Sequence, residues 1–514
     1  MGRTRTIQAD KVYIATLSGD KKRRYREVSE PREIAGEEKG EGSLSIVIVP
    51  QKGGKSTPGK PLSREGGCLF TELHFRNTKC TRDMKDVLTV EMQIAERARK
   101  HPGEALTNLH EFIDEALLHT SFDALNRSGA SGVDAETWKD YHEQRGERIP
   151  ALLAAFKSGT YRAPNIRRVY IPKGDGKLRP LGLPTVEDKL LGTAVSRVLT
   201  PVYEQLFYPT SYGFRPGKSQ HQALEMLSKE ISVKGKRYII DADMQNYFGS
   251  IDHGCLREFL DRRIKDGVIR KMIDKWLKAG VLENGQVTYP KEGTPQGGTV
   301  SPLISNIYLH YVLDEWFIEQ IQPLLNGESF LIRFADDFLL GFTSREDALR
   351  VMQVLPKRLG KYGLTLHPEK TRLIELDSKG QQQDHSRHTF DFLGFTHYMG
   401  KSRKGAHILK RKTSSKKLNA SLKRMSGWIK LNRQKLPMPV LIAEINQKLR
   451  GHYAYYGMTF NMKRLMAYYH QTRRLLHKWL NHRGGKKVWT WEKVQRLVEE
   501  WLPLEKPRIY HSYQ

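Results

Sequence analysis

The stretch Ser329-Phe-Leu-Ile-Arg-Phe334-Ala-Asp336-Asp337-Phe338-Leu-Leu-Gly-Phe342 sets two acidic residues between two apolar runs. Each run is short, aromatic and aliphatic, and has the length of a buried strand, so the segment reads as a β-hairpin with the aspartates at its turn. Adjacent carboxylates crowd negative charge, which folding alone has no reason to do. A second carboxylate in a strand-forming context lies upstream, in Tyr238-Ile-Ile-Asp-Ala-Asp243, followed by Met-Gln-Asn-Tyr247-Phe248. Between them runs Gly293-Thr-Pro-Gln296-Gly297-Gly-Thr-Val-Ser-Pro302, which leads into Leu303-Ile-Ser-Asn306-Ile-Tyr308. A glycine-rich turn opening a helix lets backbone approach a base pair or phosphate closely. Hard divalent cations such as Mg²⁺ take carboxylate oxygens, with substrate phosphates completing the shell. An Asp-Asp pair alone is an ordinary polar turn. The order of all three features is what points to metal-dependent chemistry on a phosphorylated substrate.

Outward from this region, short β-branched or aromatic runs predict strands at 167–172, 236–243, 329–336, 337–342 and 371–376. Helical periodicity covers much of 185–206, 254–280, 300–322 and 344–362, and upstream it runs over 87–118, broken at His101-Pro102-Gly103, and on to Phe156. After Gly394 the chain reads as basic and helical to about Leu480. Residues 1–85 mix charge runs with a Gly/Lys/Pro stretch and show no sustained period, so they are expected to be mostly unstructured. They read either as an RNA-binding arm or as translated sequence upstream of a true start at Met84 or Met92.

With 514 residues the chain is long enough for two to four domains. It has no apolar run of membrane-spanning length and no signal-peptide pattern. Its three cysteines, Cys68, Cys80 and Cys255, form no C-x-x-C pair, which excludes a disulfide framework and the common cysteine zinc sites. A cytoplasmic protein is expected. The net charge is +29, and 22 of that excess lies between Thr396 and Gln514, where 27 Lys and Arg face 5 Glu and no Asp. A cationic segment so dense repels itself unless a polyanion covers it, and nucleic-acid phosphate is the obvious cover.

The order of aspartate strand, TPQGG turn and A-D-D hairpin resembles the palm of reverse transcriptases. Ile171-Pro-Lys-Gly-Asp-Gly-Lys177-Leu-Arg179-Pro-Leu-Gly-Leu-Pro184 is similar to the fingers strands of group II intron reverse transcriptases. Gly132-Val-Asp134, Ser211-Tyr-Gly-Phe-Arg215-Pro-Gly-Lys218-Ser219, Gly363-Leu-Thr-Leu-His-Pro-Glu-Lys370-Thr and Phe392-Leu-Gly-Phe395 match that family in order. Leu449-Arg450-Gly451-His-Tyr453-Ala-Tyr-Tyr456-Gly457 resembles its maturase, or thumb, domain. The resemblance runs from about residue 87 to the C-terminus.

This resemblance implies an α+β right-hand polymerase, with a fingers/palm reverse transcriptase fold followed by an α-helical thumb/maturase domain. The implied boundaries are an extension at 1–85, an N-terminal helical part of the fingers at 86–160, fingers/palm at 161–396, thumb at 405–485 and a basic tail at 486–514. The implied activity is RNA-directed DNA synthesis from deoxynucleoside triphosphates on an RNA template with a DNA primer. The implied partners are the intron RNA and a DNA target, with no membrane, in a cytoplasmic ribonucleoprotein. Two Mg²⁺ ions would be held by Asp243, Asp336 and Asp337. Lys177 and Arg179 would reach the triphosphate, and Tyr247 or Phe248 would exclude a 2′-hydroxyl. Gln296 and Gly297 would shape the nucleotide and template surface, and Lys370 would donate a proton to pyrophosphate. Lys423, Arg424, Lys430 and Arg450 would face RNA phosphate, while Trp428, Tyr453, Tyr455 and Tyr456 fit a helical core better than a stacking platform.

Phe334 stands where the family usually has Tyr, which removes one hydroxyl worth roughly 1 kcal/mol of hydrogen bonding. Gly249 stands where Asp is frequent, and Asp241 lies two residues short of the metal position. The chain reaches Gln514 without the cysteine-rich endonuclease domain of many relatives, so an endonuclease-lacking bacterial type is expected. The alternatives are a maturase whose polymerase site is vestigial, and a domesticated polymerase of the same fold acting in phage defence or repair.

Overall fold

A computed structural model describes residues 13–15, 25–27, 82–172, 178–294, 297–376, 388–482 and 489–512. It divides into two compact units, Met1–Leu69 and Phe70–Gln514. In the first, β1 (Tyr13–Ala15) pairs antiparallel with β2 (Tyr25–Glu27). Most of the segment expected to be unstructured, with Cys68 and Cys80, lies outside the described residues.

The second unit opens with helices α1 (Arg82–Lys100), α2 (Glu115–Asp123) and α3 (Trp138–Lys157). Asp114 caps α2, and Thr137 with Asp140 forms a capping box on α3, which is why the chain enters helices there. The hairpin β3 (Ile166–Pro172) and β4 (Leu178–Leu183) follows, then α4 (Val186–Tyr203) and α5 (Gln220–Ser232). Next come β5 (Tyr238–Ala242), β6 (Met244–Gln245), α6 (His253–Asp261), α7 (Gly267–Lys278), β7 (Val281–Glu283) and β8 (Gln286–Thr288). Helix α8 (Ser301–Leu309) precedes the hairpin β9 (Ser329–Phe334) and β10 (Asp337–Phe342). Helix α9 (Arg345–Gly360) leads to β11 (Thr365–Leu366) and β12 (Arg372–Glu375).

The central sheet has the order β12-β5-β10-β9 and is antiparallel throughout. Both its faces are covered, which explains the unbroken apolar run of β10. Phe338, Leu340 and Phe342 point with Ile240 into the main core shared with α4, α8 and α9. Leu339 points the other way, with Ile239 and Ile332, onto Leu224 and Leu227 of α5. Gly341 lies opposite Phe330 in the ladder, and a Cβ there would stand 2.0 Å from the Phe330 ring. A second sheet, β4-β3-β7-β8, belongs to the same unit.

The region expected as one helix over 254–280 is two, because Asp266 accepts from the Val268 and Ile269 amides and starts α7 afresh. The helix expected over 300–322 continues past Leu309 as π-helical turns at His310–Asp314 and Trp316–Ile321. The chain after Gly394 does not turn helical at once. It forms a three-stranded sheet, β13 (Phe390–Phe392), β14 (Phe395–Lys401) and β15 (His407–Thr413), in which Phe395, Leu409 and Arg411 turn inward while Lys401 and Lys412 stay exposed. The basic composition masked that alternation. Helices α10 (Ser415–Asn432), α11 (Met438–Tyr456), α12 (Met462–Leu480) and α13 (Trp491–Arg496) then pack around a separate apolar core. Among the described residues no helix is long and apolar enough to cross a membrane.

Candidate active site

The β9–β10 turn is two residues long, Ala335-Asp336, with Phe334 opposite Asp337 and Ala335 left-handed at φ 59°. Strand β10 also pairs with β5, Phe338 opposite Ala242. One further step along that ladder sets Asp337 opposite Asp243, and opposed residues in an antiparallel pair share a face. The carboxyl of Asp337 is raised to about 6, chiefly by lost hydration, then by Asp336 and Asp243, while Lys417 and Lys370 pull it down. That of Asp336 is raised by lost hydration and Asp243 and lowered by Arg179 and Arg333. The three carboxylates therefore feel one another, and this end of the sheet carries the negative charge expected of it.

Asp241 belongs to the same charged group. Its carboxyl is raised to about 7 by burial, with Asp337, Asp243 and Asp391 adding and Arg372, 3.9 Å away, opposing. Lys370 Nζ is ion-paired with Asp243 Oδ2. The loop bearing it is fixed by the His367 amide, which donates to the Asp243 carbonyl at 2.8 Å, and by β11 pairing with β6. Among the described residues no group of three or more ligating side chains is gathered closely enough to be a ready metal cage. The donor set nevertheless fits a hard divalent cation: it is all carboxylate oxygen, and the Lys370 ammonium offsets only the charge of Asp243.

Arg179, exposed on β4 opposite Ile171, lies near enough for its charge to act on Asp336. Lys177 and Gln296 lie outside the described residues. Gly297, at φ 119°, packs so closely on β4 that a Cβ would come within 2.3 Å of the Gly182 carbonyl oxygen. On the other side of this turn, the Gly293 and Thr294 amides donate to the carbonyls of Ile251 and Phe248, each at 2.7 Å. The glycine turn is thus sewn between the β3–β4 hairpin and the segment after Asp243. Tyr247 is 2% exposed and donates its hydroxyl to the Ser305 carbonyl at 2.7 Å, whereas Phe248 is only half-buried. Of the two rings considered for the sugar, Phe248 is the one with a free face. Gly249 fits because a Cβ there would stand 2.4 Å from the Asn246 side-chain amide.

Residues 171–397 match the family described as reverse transcriptase (RNA-dependent DNA polymerase), and residues 416–497 match the group II intron, maturase-specific domain. The group II intron-encoded protein LtrA of Lactococcus lactis subsp. cremoris is 33% identical over 251 residues, 48% of this chain and 41% of LtrA. Protein YkfC of Escherichia coli (strain K12) is 33% identical over 252 residues, 43% of this chain and 66% of YkfC. The chain belongs to the group II intron-encoded reverse transcriptase/maturase family. Its match spans less than half the length of LtrA.

In this family member the maturase-specific match begins in α10, and Lys423, Arg424, Lys430 and Arg450 are all exposed. They are not brought to the carboxylates. Tyr453 is fully buried, and Trp428 and Tyr456 pack against the helical core, in line with their reading as core residues. Tyr455 does something further: its hydroxyl donates to the Leu393 carbonyl at 3.0 Å, tying α11 to the Phe392–Phe395 turn. Lys417, whose charge reaches Asp337, was missed in the sequence because nothing distinguishes it from its neighbours Lys416 and Lys423. Arg333 was missed too, since a lone cation in an apolar strand carries no motif.

Proposed function

We propose that the protein is an RNA-directed DNA polymerase encoded by a group II intron, which also binds the intron RNA to assist splicing and mobility. The supporting observation is the convergence of Asp243, Asp336 and Asp337 at one end of the inner strands β5 and β10, with Arg179 and Lys370 beside them. In this reading residues 161–396 act as fingers and palm, 86–160 extend the fingers, and 405–485 act as the thumb. The three carboxylates would hold two Mg²⁺ ions, whose positive charge would favour ionisation of a primer 3′-hydroxyl and departure of pyrophosphate.

The chain's own groups bind and orient the substrates. Arg179 and Lys177 take the triphosphate oxygens through charge-assisted hydrogen bonds. Phe248 fills the space a 2′-hydroxyl would need, and Gln296 with Gly297 form the floor under the nascent pair. The incoming triphosphate draws the Lys370 ammonium from Asp243, and Nζ then hands its proton to the leaving pyrophosphate. The cationic helices grip template–primer and intron RNA by phosphate contacts. The setting is the bacterial cytoplasm, with the intron RNA bound as a ribonucleoprotein that acts on a DNA target.

Primer extension on poly(rA)/oligo(dT) with Mg²⁺ tests this. Extension that vanishes in an Asp336→Ala, Asp337→Ala variant supports the polymerase. No extension by the wild type, with intron RNA binding intact, would replace it by a maturase that only binds RNA.

A further inference from the structure

Arg333 is fully buried, directly before the Phe334–Asp337 turn, and faces a fully buried Asp314. Its Nε and Nη2 donate to the two Asp314 carboxylate oxygens at 2.8 and 2.6 Å. Its Nη1 donates to Asn306 Oδ1 at 2.8 Å and to the Ala335 carbonyl at 3.2 Å. Asn306 in turn donates to the Gly213 carbonyl at 2.7 Å. Gly213 lies so near the turn that a Cβ would stand 2.3 Å from the Ala335 amide nitrogen. The Arg333 backbone is tied to the same loop, through the Tyr212 amide and the Thr210 carbonyl.

One guanidinium therefore joins three things: the helix that follows the glycine turn, the Ser211–Arg215 loop, and the strained residue before the two aspartates. A non-glycine residue at φ 59° persists only where its surroundings over-determine it. A buried ion pair is weak evidence for stability, since apolar replacements are often as stable. Its presence here calls for another reason, and the bond to the Ala335 carbonyl supplies one.

We propose that Arg333, anchored by Asp314 and Asn306, is a positioning residue that holds Ala335 left-handed and so fixes Asp336 and Asp337 relative to α8, the helix that follows the glycine turn. This rests on the polymerase reading for its purpose, although its geometry does not. Loss of the anchor leaves the carboxylates present but misplaced, and weakens cation binding before it weakens RNA binding.

The test uses the full chain. Arg333→Lys keeps the charge but cannot fork to Asp314 and Ala335 together. Arg333→Met with Asp314→Leu removes both buried charges. Thermal unfolding and intron RNA binding report folding, and Mn²⁺ binding, read from the electron paramagnetic resonance of the free ion, reports the site. Both variants are expected to fold and to bind RNA normally, while Mn²⁺ affinity falls about tenfold. Single-nucleotide incorporation is expected to fall about 100-fold. Adding Ala335→Gly to Arg333→Lys should restore part of both, because glycine holds a positive φ without help.

A folded Met/Leu variant with wild-type Mn²⁺ affinity would overturn the proposal, as would failure of Ala335→Gly to restore anything. If neither Arg333 variant folds, Asn306→Leu takes their place, and unchanged Mn²⁺ affinity there overturns it equally. A wild type that binds Mn²⁺ but never extends a primer sinks the polymerase reading and leaves the Mn²⁺ comparison standing.

Discussion

The central sheet region and the C-terminal helices both carry many cations, and they handle them in opposite ways. Around the sheet, three buried cations are neutralised inside the protein. Arg333 is paired with Asp314, Lys236 with Glu230 and Glu328, and Arg215 with Glu204. From Thr396 onward 27 Lys and Arg face 5 Glu, and Lys416, Lys417, Lys423, Arg424, Lys430 and Lys463 are exposed. Paired buried charges fix geometry and attract nothing from solution. Unpaired exposed ones contribute little to the fold and await a polyanion. The negative charge runs the same way: Asp336 and Asp337 form no ion pair among the described residues, and they lie at one end of the two inner strands of the sheet.

Two variants at that carboxylate cluster divide the regions most sharply. Asp336→Ala with Asp337→Ala should reduce primer extension to background while intron RNA affinity stays at the wild-type value, as checked by filter binding. Joint loss of both activities would mean that the regions are not separable. Lys370→Ala should lower single-turnover incorporation by about 100-fold, the usual scale for removing a general acid. It should leave the KM for template–primer unchanged, and an unaltered rate would remove Lys370 from the proton-transfer step.

The contrast also explains what the sequence made legible. The hairpin at Ser329–Phe342 was readable because both runs are buried on both faces, and the strand bounds of β10 match the expectation residue for residue. Asp243, Asp336 and Asp337 were readable because carboxylates in apolar strands stand out, and pairing across β5 and β10 brings them to one end of those strands. Arg333, Asp314 and Asn306 were not, since Asp314 and Asn306 lie 19 and 27 residues from Arg333 and no period links them. The sheet β13-β14-β15 was hidden for the opposite reason. In a stretch such as His407-Ile-Leu-Lys-Arg-Lys-Thr413 the cations dominate composition, and one of them, Arg411, takes an inward position that an apolar residue would otherwise mark.

A smaller effect separates exposed from paired cations directly. Lys423→Ala with Lys430→Ala should weaken intron RNA binding and reduce the slope of log affinity against log salt by about one unit for each phosphate contact removed. Arg257→Ala removes a cation already paired with Asp274 at 2.7 Å, and it should leave that slope unchanged. Equal changes in the two proteins would show that pairing does not decide which cations meet RNA.

The least effect expected is on stability, and it arises from histidines buried without charge in both regions. His310 lies beside Arg333, Arg215 and Arg262 and is depressed to about 3, chiefly by burial. His452 stacks on Tyr468 at 3.8 Å, with Tyr456 and Arg424 nearby, and burial depresses it to about 4. A depressed pKa means that the folded state holds the proton less tightly than the unfolded chain. Stability is therefore lost as pH falls below the unfolded value of about 6.5, by roughly 1.4 kcal/mol per histidine for each pH unit, until the folded pKa is passed. His452→Phe removes one such share and a ring nitrogen, Nε2, that has no hydrogen-bond partner. Its melting temperature should fall about 1–2 °C less than that of the wild type between about pH 7 and pH 5.5. His310 still titrates in both proteins, so the acid loss should shrink without vanishing. An identical loss in the two would mean that His452 takes up its proton without unfolding the helices, and that the C-terminal core tolerates a buried positive charge as the sheet region does.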